Sequence, residues 1–177
     1  YLLLEDGIPV RPAGFCNVNQ MFELLTEQAN RIEVIRGPAN ALYGSNALHG
    51  VVNVIMPTPG DSYSPLLALE LGANEFYRVR AELPFDDDAN YLASLILAGH
   101  GGFRDNSGYR QAKVHLKGAW AAFGGDLIVG FSATDLDQET AGFILGQDAY
   151  EDVTIRTSNA NPEAFRDASS QRLYGLW

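Results

Sequence analysis

From residue 65 to the last residue, apolar side chains recur at every second position, and this alternation constrains the fold more than any other feature of the chain. Successive side chains of a strand point to opposite faces, so a period of two writes one apolar and one polar face. The cleanest stretch has Ala112, Val114, Leu116, Gly118 and Trp120 alternating with Lys113, His115, Lys117 and Ala119. Tyr77, Val79, Ala81 and Leu83 alternate with Phe76, Arg78, Arg80 and Glu82 in the same way. Leu67, Leu69 and Leu71 form a further apolar row, as do Tyr91, Ala93, Leu95 and Leu97. Leu127, Val129 and Phe131 follow, then Leu173, Gly175 and Trp177. Six antiparallel strands are expected, separated by turn chemistry at Gly72-Ala73-Asn74, Pro84 to Asn90, Gly101 to Gly108, Gly124-Gly125 and a long connection from Asp135 to Ala168.

A soluble sandwich also alternates. The connections separate the two cases. If the first strand runs upward, the third and fifth connections fall on top and are Gly-rich or long, whereas those underneath are compact. Short turns on one side and long loops on the other are the pattern of outer-membrane β-barrels. Tyr91, Trp120 and Trp177 lie in the apolar rows near the short-turn ends, where an interfacial aromatic girdle belongs. No run of about 18 apolar residues is present, and a membrane barrel needs none.

The first sixty residues are written differently, as short apolar runs broken by Gly and Pro. Leu2 to Leu4 read as a strand ended by the turn Asp6-Gly7, and Met21 to Gln28 as a short helix capped by Asn17 or Asn19. Arg31 to Arg36 form the next strand. Gly37-Pro38 opens a short helix with Pro at its first position and Gly44 at its end, and Val51 to Ile55 close the set. Such a mixture makes a small α/β domain over residues 1–56. A linker over 57–64, around Met56-Pro57-Thr58-Pro59-Gly60, leads to the strands of 65–177. The opening at Tyr1 without a preceding turn, and the stop at Trp177 in mid-pattern, read as a chain that begins and ends inside larger domains.

A net charge of −10 with only 12 Lys and Arg argues against nucleic acid. The single Cys16 reads as a small packed residue and permits no disulfide within these residues. Asp135, Asp137, Glu139, Asp148, Glu151 and Asp152 read as a solvated acidic surface, because no metal-ligand spacing appears among them. His49, His100 and His115 are spread along the chain, so neither a metal nor a cofactor is expected. No Gly-x-Ser-x-Gly or His-Glu-x-x-His occurs, so no enzyme is expected.

Arg31 to Pro38, RIEVIRGP, followed by Ala41 to Ile55, ALYGSNALHGVVNVI, resembles the signature that ends the plug of TonB-dependent outer-membrane receptors. LLLEDGIPV, Leu2 to Val10, is similar to the plug strand and turn that precede it. Asp137 to Phe143 and Asn161 to Ala168 resemble a loop found in some members. His49 stands where many relatives have a small residue, and Met56-Pro57 replaces the usual polar exit.

The resemblance implies the C-terminal part of a small α/β plug domain followed by the first antiparallel transmembrane strands of a 22-stranded β-barrel, incomplete here. It implies a receptor in the outer membrane of a Gram-negative bacterium that takes up a scarce ligand through periplasmic TonB, most commonly a ferric siderophore. Cobalamin, haem, saccharides and peptides stay open as cargo. A passive porin and a surface-binding β protein are the rival readings. By position, Arg11, Phe15, Asn17, Asn19, Ser45 and Asn46 are candidates to touch ligand, with Gln138 to Phe143 in an outer loop. Glu33 and Arg36 in the plug are the natural partners of Arg78, Arg80, Glu82, Lys113, His115 and Lys117 on the inward face. Partly wet ion pairs of that kind are each worth roughly 0 to 1 kcal/mol.

Overall fold

The computed structural model describes every residue except 12–21, 45, 61–63 and 86–89. Phe15, Cys16, Asn17, Asn19 and Ser45 therefore lie outside the described residues. The chain forms two compact units, Tyr1–Asp61 and Ser62–Trp177.

In the first unit, β1 (Leu2–Glu5) turns through Asp6 and Gly7, at φ 50° and 78°, into β2 (Ile8–Pro9). Asp-Gly tolerates the two positive φ values that a two-residue hairpin turn requires. β3 (Arg31–Arg36) runs antiparallel to β4 (Gly50–Ile55), and β4 runs parallel to β1, giving the order β2-β1-β4-β3. The core lies on both sides of β1 and β4. Val10, Leu24, Leu25, Val54 and Met56 form one cluster, and Leu2, Leu4, Ala47 and Val51 form the other. Gly50 cannot be replaced freely: at φ 138° a Cβ would stand 2.5 Å from the Ile35 carbonyl oxygen.

Two expectations for this unit are corrected. Within the described part of Met21 to Gln28 the structure has a 3₁₀ turn at Thr26–Gln28 in place of a continuous α-helix, and the asparagines expected to cap it lie outside the described residues. Leu24 and Leu25 are pinned in the core, and a short 3₁₀ turn meets that demand with fewer residues than an α-helix. The helix α1 (Asn40–Tyr43) begins two residues after Pro38 and ends at Gly44, whose φ is 82°.

The second unit is one antiparallel meander in chain order: β5 (Leu66–Leu71), β6 (Tyr77–Phe85), β7 (Tyr91–His100), β8 (Tyr109–Ala122), β9 (Gly125–Glu139) and β10 (Phe165–Leu176). The helix α2 (Val153–Thr157) sits in the last connection, capped by Asp152, whose Oδ1 accepts from the Thr154 and Ile155 amides. Phe123 and Gly124, at φ 54° and 79°, make the two-residue turn between β8 and β9. No helix among the described residues is long and apolar enough to cross a membrane.

Strand ends depart from expectation in two places. β6 continues through Pro84 to Phe85, because β5 stops opposite Glu82 and leaves one flank open where proline offers no N–H. β9 continues to Glu139 and β10 starts at Phe165, so the long connection is 140–164. Asp135, Asp137, Glu139 and Asp167 occupy the positions of the apolar row, which breaks the hydropathy pattern while the backbone ladder continues.

Candidate functional site

The register sorts the sheet into two faces. One carries Leu67, Leu69, Leu71, Val79, Leu95, Leu97, Val114, Leu116, Phe131 and Leu173. Of these, Leu67, Leu69, Leu71 and Leu173 are 65 to 78% exposed, an arrangement that water penalises and hydrocarbon does not. At the short-turn end of this face the aromatics meet. Phe85 stacks on Tyr91 at 5.3 Å, Tyr91 meets Trp120 edge-on at 5.6 Å, and the Trp120 indole N–H donates to the Tyr91 hydroxyl at 3.0 Å. The Trp177 indole reaches the Ala122 carbonyl at 3.4 Å. Glycines open the face to neighbouring rings: a Cβ on Gly99 would stand 2.5 Å from the Tyr77 ring, and one on Gly118 equally close to Trp120.

The opposite face is charged. Arg78 grips Glu70 on β5 with both ends of its guanidinium, Nε to Oε1 at 3.1 Å and Nη2 to Oε2 at 2.6 Å, and lies over the Phe76 ring. Arg80 stands 3.9 Å from Glu82. Lys113, His115, Lys117 and Glu82 are all at least nine-tenths buried. The residues expected as one inward set do share this face, but β7 separates them. Its row Leu92, Ser94, Ile96 and Ala98 is buried between the Arg78 and Lys113 ladders, so β7 is largely apolar on both faces. The expected inward set left out Glu70, Asp126, Arg166 and Arg172, which the register places on the charged face. Their parity with Arg78 and Lys113 was the available signal. Arg78, Arg80, Lys113, Lys117, Arg166 and Arg172 against Glu70, Glu82 and Asp126 leave three positive charges in excess, in a chain of net charge −10.

In the first unit Arg11 is ion-paired with buried Glu23, and Asn46 is half-buried in the turn after α1. Glu33 accepts from Arg31 Nε at 2.9 Å and from Asn53 Nδ2 at 3.2 Å, while Asn53 Oδ1 accepts from the Gly7 amide at 3.0 Å. These bonds link the hairpin turn, β4 and β3. The Arg31 hydrogen bond, and next that of Asn53, hold the Glu33 carboxyl below the usual carboxylate range. Arg36 lies exposed at the end of β3, opposite Gly50. No group of three or more metal-binding side chains is assembled among the described residues.

Residues 1–51 match the model of the TonB-dependent Receptor Plug Domain. The Vitamin B12 transporter BtuB of Vibrio vulnificus (strain CMCP6) is 32% identical over 109 residues, 61% of this chain. The chain spans 17% of that relative's length. Pseudomonas aeruginosa FpvA bound to heterologous pyoverdines has the same fold at a TM-score of 0.74 and 16% identity, over 98% of this chain and 24% of FpvA. The ferric yersiniabactin uptake receptor FyuA of Yersinia pestis aligns at 0.60 and 21% identity, over 98% of this chain and 29% of FyuA. A matched plug domain leading into an antiparallel sheet, with the fold of these receptors over nearly the whole chain, makes the chain similar to the TonB-dependent receptors in both of its units.

Proposed function

We propose that the protein is an outer-membrane receptor of a Gram-negative bacterium that captures a scarce extracellular ligand, most commonly a ferric siderophore, and admits it by TonB-driven rearrangement of its plug. The observation that carries this is a plug sequence followed, in one chain, by strands with one apolar, aromatic-banded face and one charged face. A strand of about 9 to 11 residues crosses the hydrocarbon when tilted, and β6 and β7, of nine and ten residues, match that length. The named relatives transport vitamin B12 or take up ferric siderophores, which supports a metal-chelate cargo without choosing one.

In this reading Arg11, Phe15, Asn17, Asn19, Ser45 and Asn46 face ligand. Glu33 and Arg36 are the plug's partners for the charged face at Arg78, Arg80, Glu82, Lys113 and Lys117. TonB engages a segment ahead of these residues, outer-membrane lipid covers the apolar face, and no bond is made or broken. Cells expressing the receptor should accumulate labelled ferric siderophore or cobalamin, and collapse of the proton-motive force should stop it. Accumulation that continues after collapse would leave a passive channel instead.

A further inference from the structure

We infer that Arg104 fastens the 101–108 and 140–164 loops into one rigid body, and so acts as a positioning residue for the 138–143 limb, the outer-loop segment put forward for ligand contact. The use of that limb rests on the receptor reading; the fastening does not. The guanidinium donates from Nη1 to the Gly142 carbonyl at 2.5 Å and from Nε to the Ser158 carbonyl at 2.9 Å. Gly142 lies on the outgoing limb of the long loop and Ser158 on the returning one, so a single side chain from the short loop holds both. Its own backbone is fixed first: the Arg104 amide donates to the Ser107 hydroxyl at 3.0 Å, and that hydroxyl donates back to the Arg104 carbonyl at 2.7 Å.

Further bonds cross between the loops on either side of the clasp. The Asp105 amide donates to the Thr157 carbonyl at 2.8 Å, Asn106 Nδ2 to the Pro162 carbonyl at 3.3 Å, and Asn159 Nδ2 to the Asn106 carbonyl at 2.9 Å. The two limbs pack closely at residue 142, where a Cβ would displace the Asn161 side-chain amide. The neighbours of the two clasped residues, Phe103 and Phe143, are 59% and 91% exposed. The backbone at these two residues is thus held in advance of any encounter, which lowers the ordering cost that a mobile loop would incur on binding. A lysine at 104 has one charged nitrogen and cannot reproduce the two-carbonyl fork.

Amide hydrogen exchange on the full-length receptor in detergent tests this. Charge-assisted hydrogen bonds are the stronger ones, so Arg104→Gln should speed exchange about tenfold in both loops, with the β8 and β9 strands unchanged. Arg104→Lys should fall between. Asn159→Ala, in the long loop, should also speed exchange in 101–108, a reciprocal effect that a purely local contact would not give. If Arg104→Gln fails to assemble, the Lys and Asn159 variants carry the same test. Unchanged exchange in 140–164, or changes confined to the mutated loop, would overturn the inference. Loss of the receptor reading would appear separately, as uptake indifferent to the presence of the protein.

Discussion

Leu116 lies at the centre of the outward row of β8, two outward positions below Ala112 and two above Trp120, and is 43% exposed. If this face meets hydrocarbon, Leu116→Arg places a cation near the middle of the bilayer, at a cost of about 2 to 4 kcal/mol. That lowers the folding equilibrium constant roughly 30- to 700-fold. Ala122, beyond the aromatic ring of Tyr91 and Trp120, also faces outward but sits at the interface, so Ala122→Arg should cost about 0 to 1 kcal/mol. The assay is urea unfolding of the full-length receptor in phospholipid vesicles, read by the shift in electrophoretic mobility between folded and unfolded barrel. A face that met water would remove the difference, since an exposed position tolerates arginine wherever it lies along the strand. Equal costs at the two positions, or a larger cost at Ala122, would refute the assignment of this face to lipid.

Asn53→Ala removes the acceptor of the Gly7 amide and a donor to Glu33 together, and leaves a partly buried turn amide unsatisfied. It should cost about 1 to 3 kcal/mol, read as faster exchange of the Gly7 amide with the second unit unaffected. The Glu33 carboxyl is held below its usual range in the folded chain, so its contribution is present above the unfolded value of 4.5 and is lost as pH falls through the lower folded value. Acidification should therefore loosen β3 from β4 at Arg31 and Asn53, and Glu33→Gln should flatten that dependence in a titration of β3 amide exchange. Trp120→Phe keeps the ring but removes the bond to the Tyr91 hydroxyl, and should cost about 0.5 to 1.5 kcal/mol in the same vesicle unfolding assay.

The six strands were legible because each writes its two faces locally, residue against next residue. What was not legible depends on neighbours distant in sequence. Nothing near Asn53 announces that its amide bridges Gly7 and Glu33; the bridge exists because β4 lies parallel to β1 and antiparallel to β3. Likewise nothing near Ile96 and Leu92 announces that they lie between two charged ladders; the register sets them there. The upper ends of β9 and β10 were read as loop because outward carboxylates replace leucines there, although Arg166 and Arg172 keep the same parity as Lys113. Among the expected ligand-contacting residues, Arg11 also pairs with the buried Glu23 twelve residues away, a contact that no local spacing announces.

The points at which hydropathy misled are themselves ordered. On β8 the outward row turns apolar at Ala112, on β9 at Ala133 and on β10 at Leu173. Ala133 pairs with Val114, and Leu173 pairs with Phe131, which pairs with Leu116. The upper border of the apolar band therefore descends two residues at each successive strand. Its lower border moves the same way between β7 and β8, for Tyr91 pairs with Gly118 and Trp120 lies one outward position further down. Two residues are about 6.6 Å along a strand, against a spacing of about 4.8 Å between strands, which makes the slant on the order of 50°. Outward positions come only every second residue, so the slant agrees with the roughly 35 to 45° tilt of strands in membrane barrels. A flat apolar layer crossed by tilted strands requires such a staircase, whereas a soluble sheet packed on a partner has no reason to end its apolar rows at one level in space and at different levels in register. In the receptor reading, the acidic residues above the steps, Asp135, Asp137 and Asp167, are strand residues beyond the apolar layer.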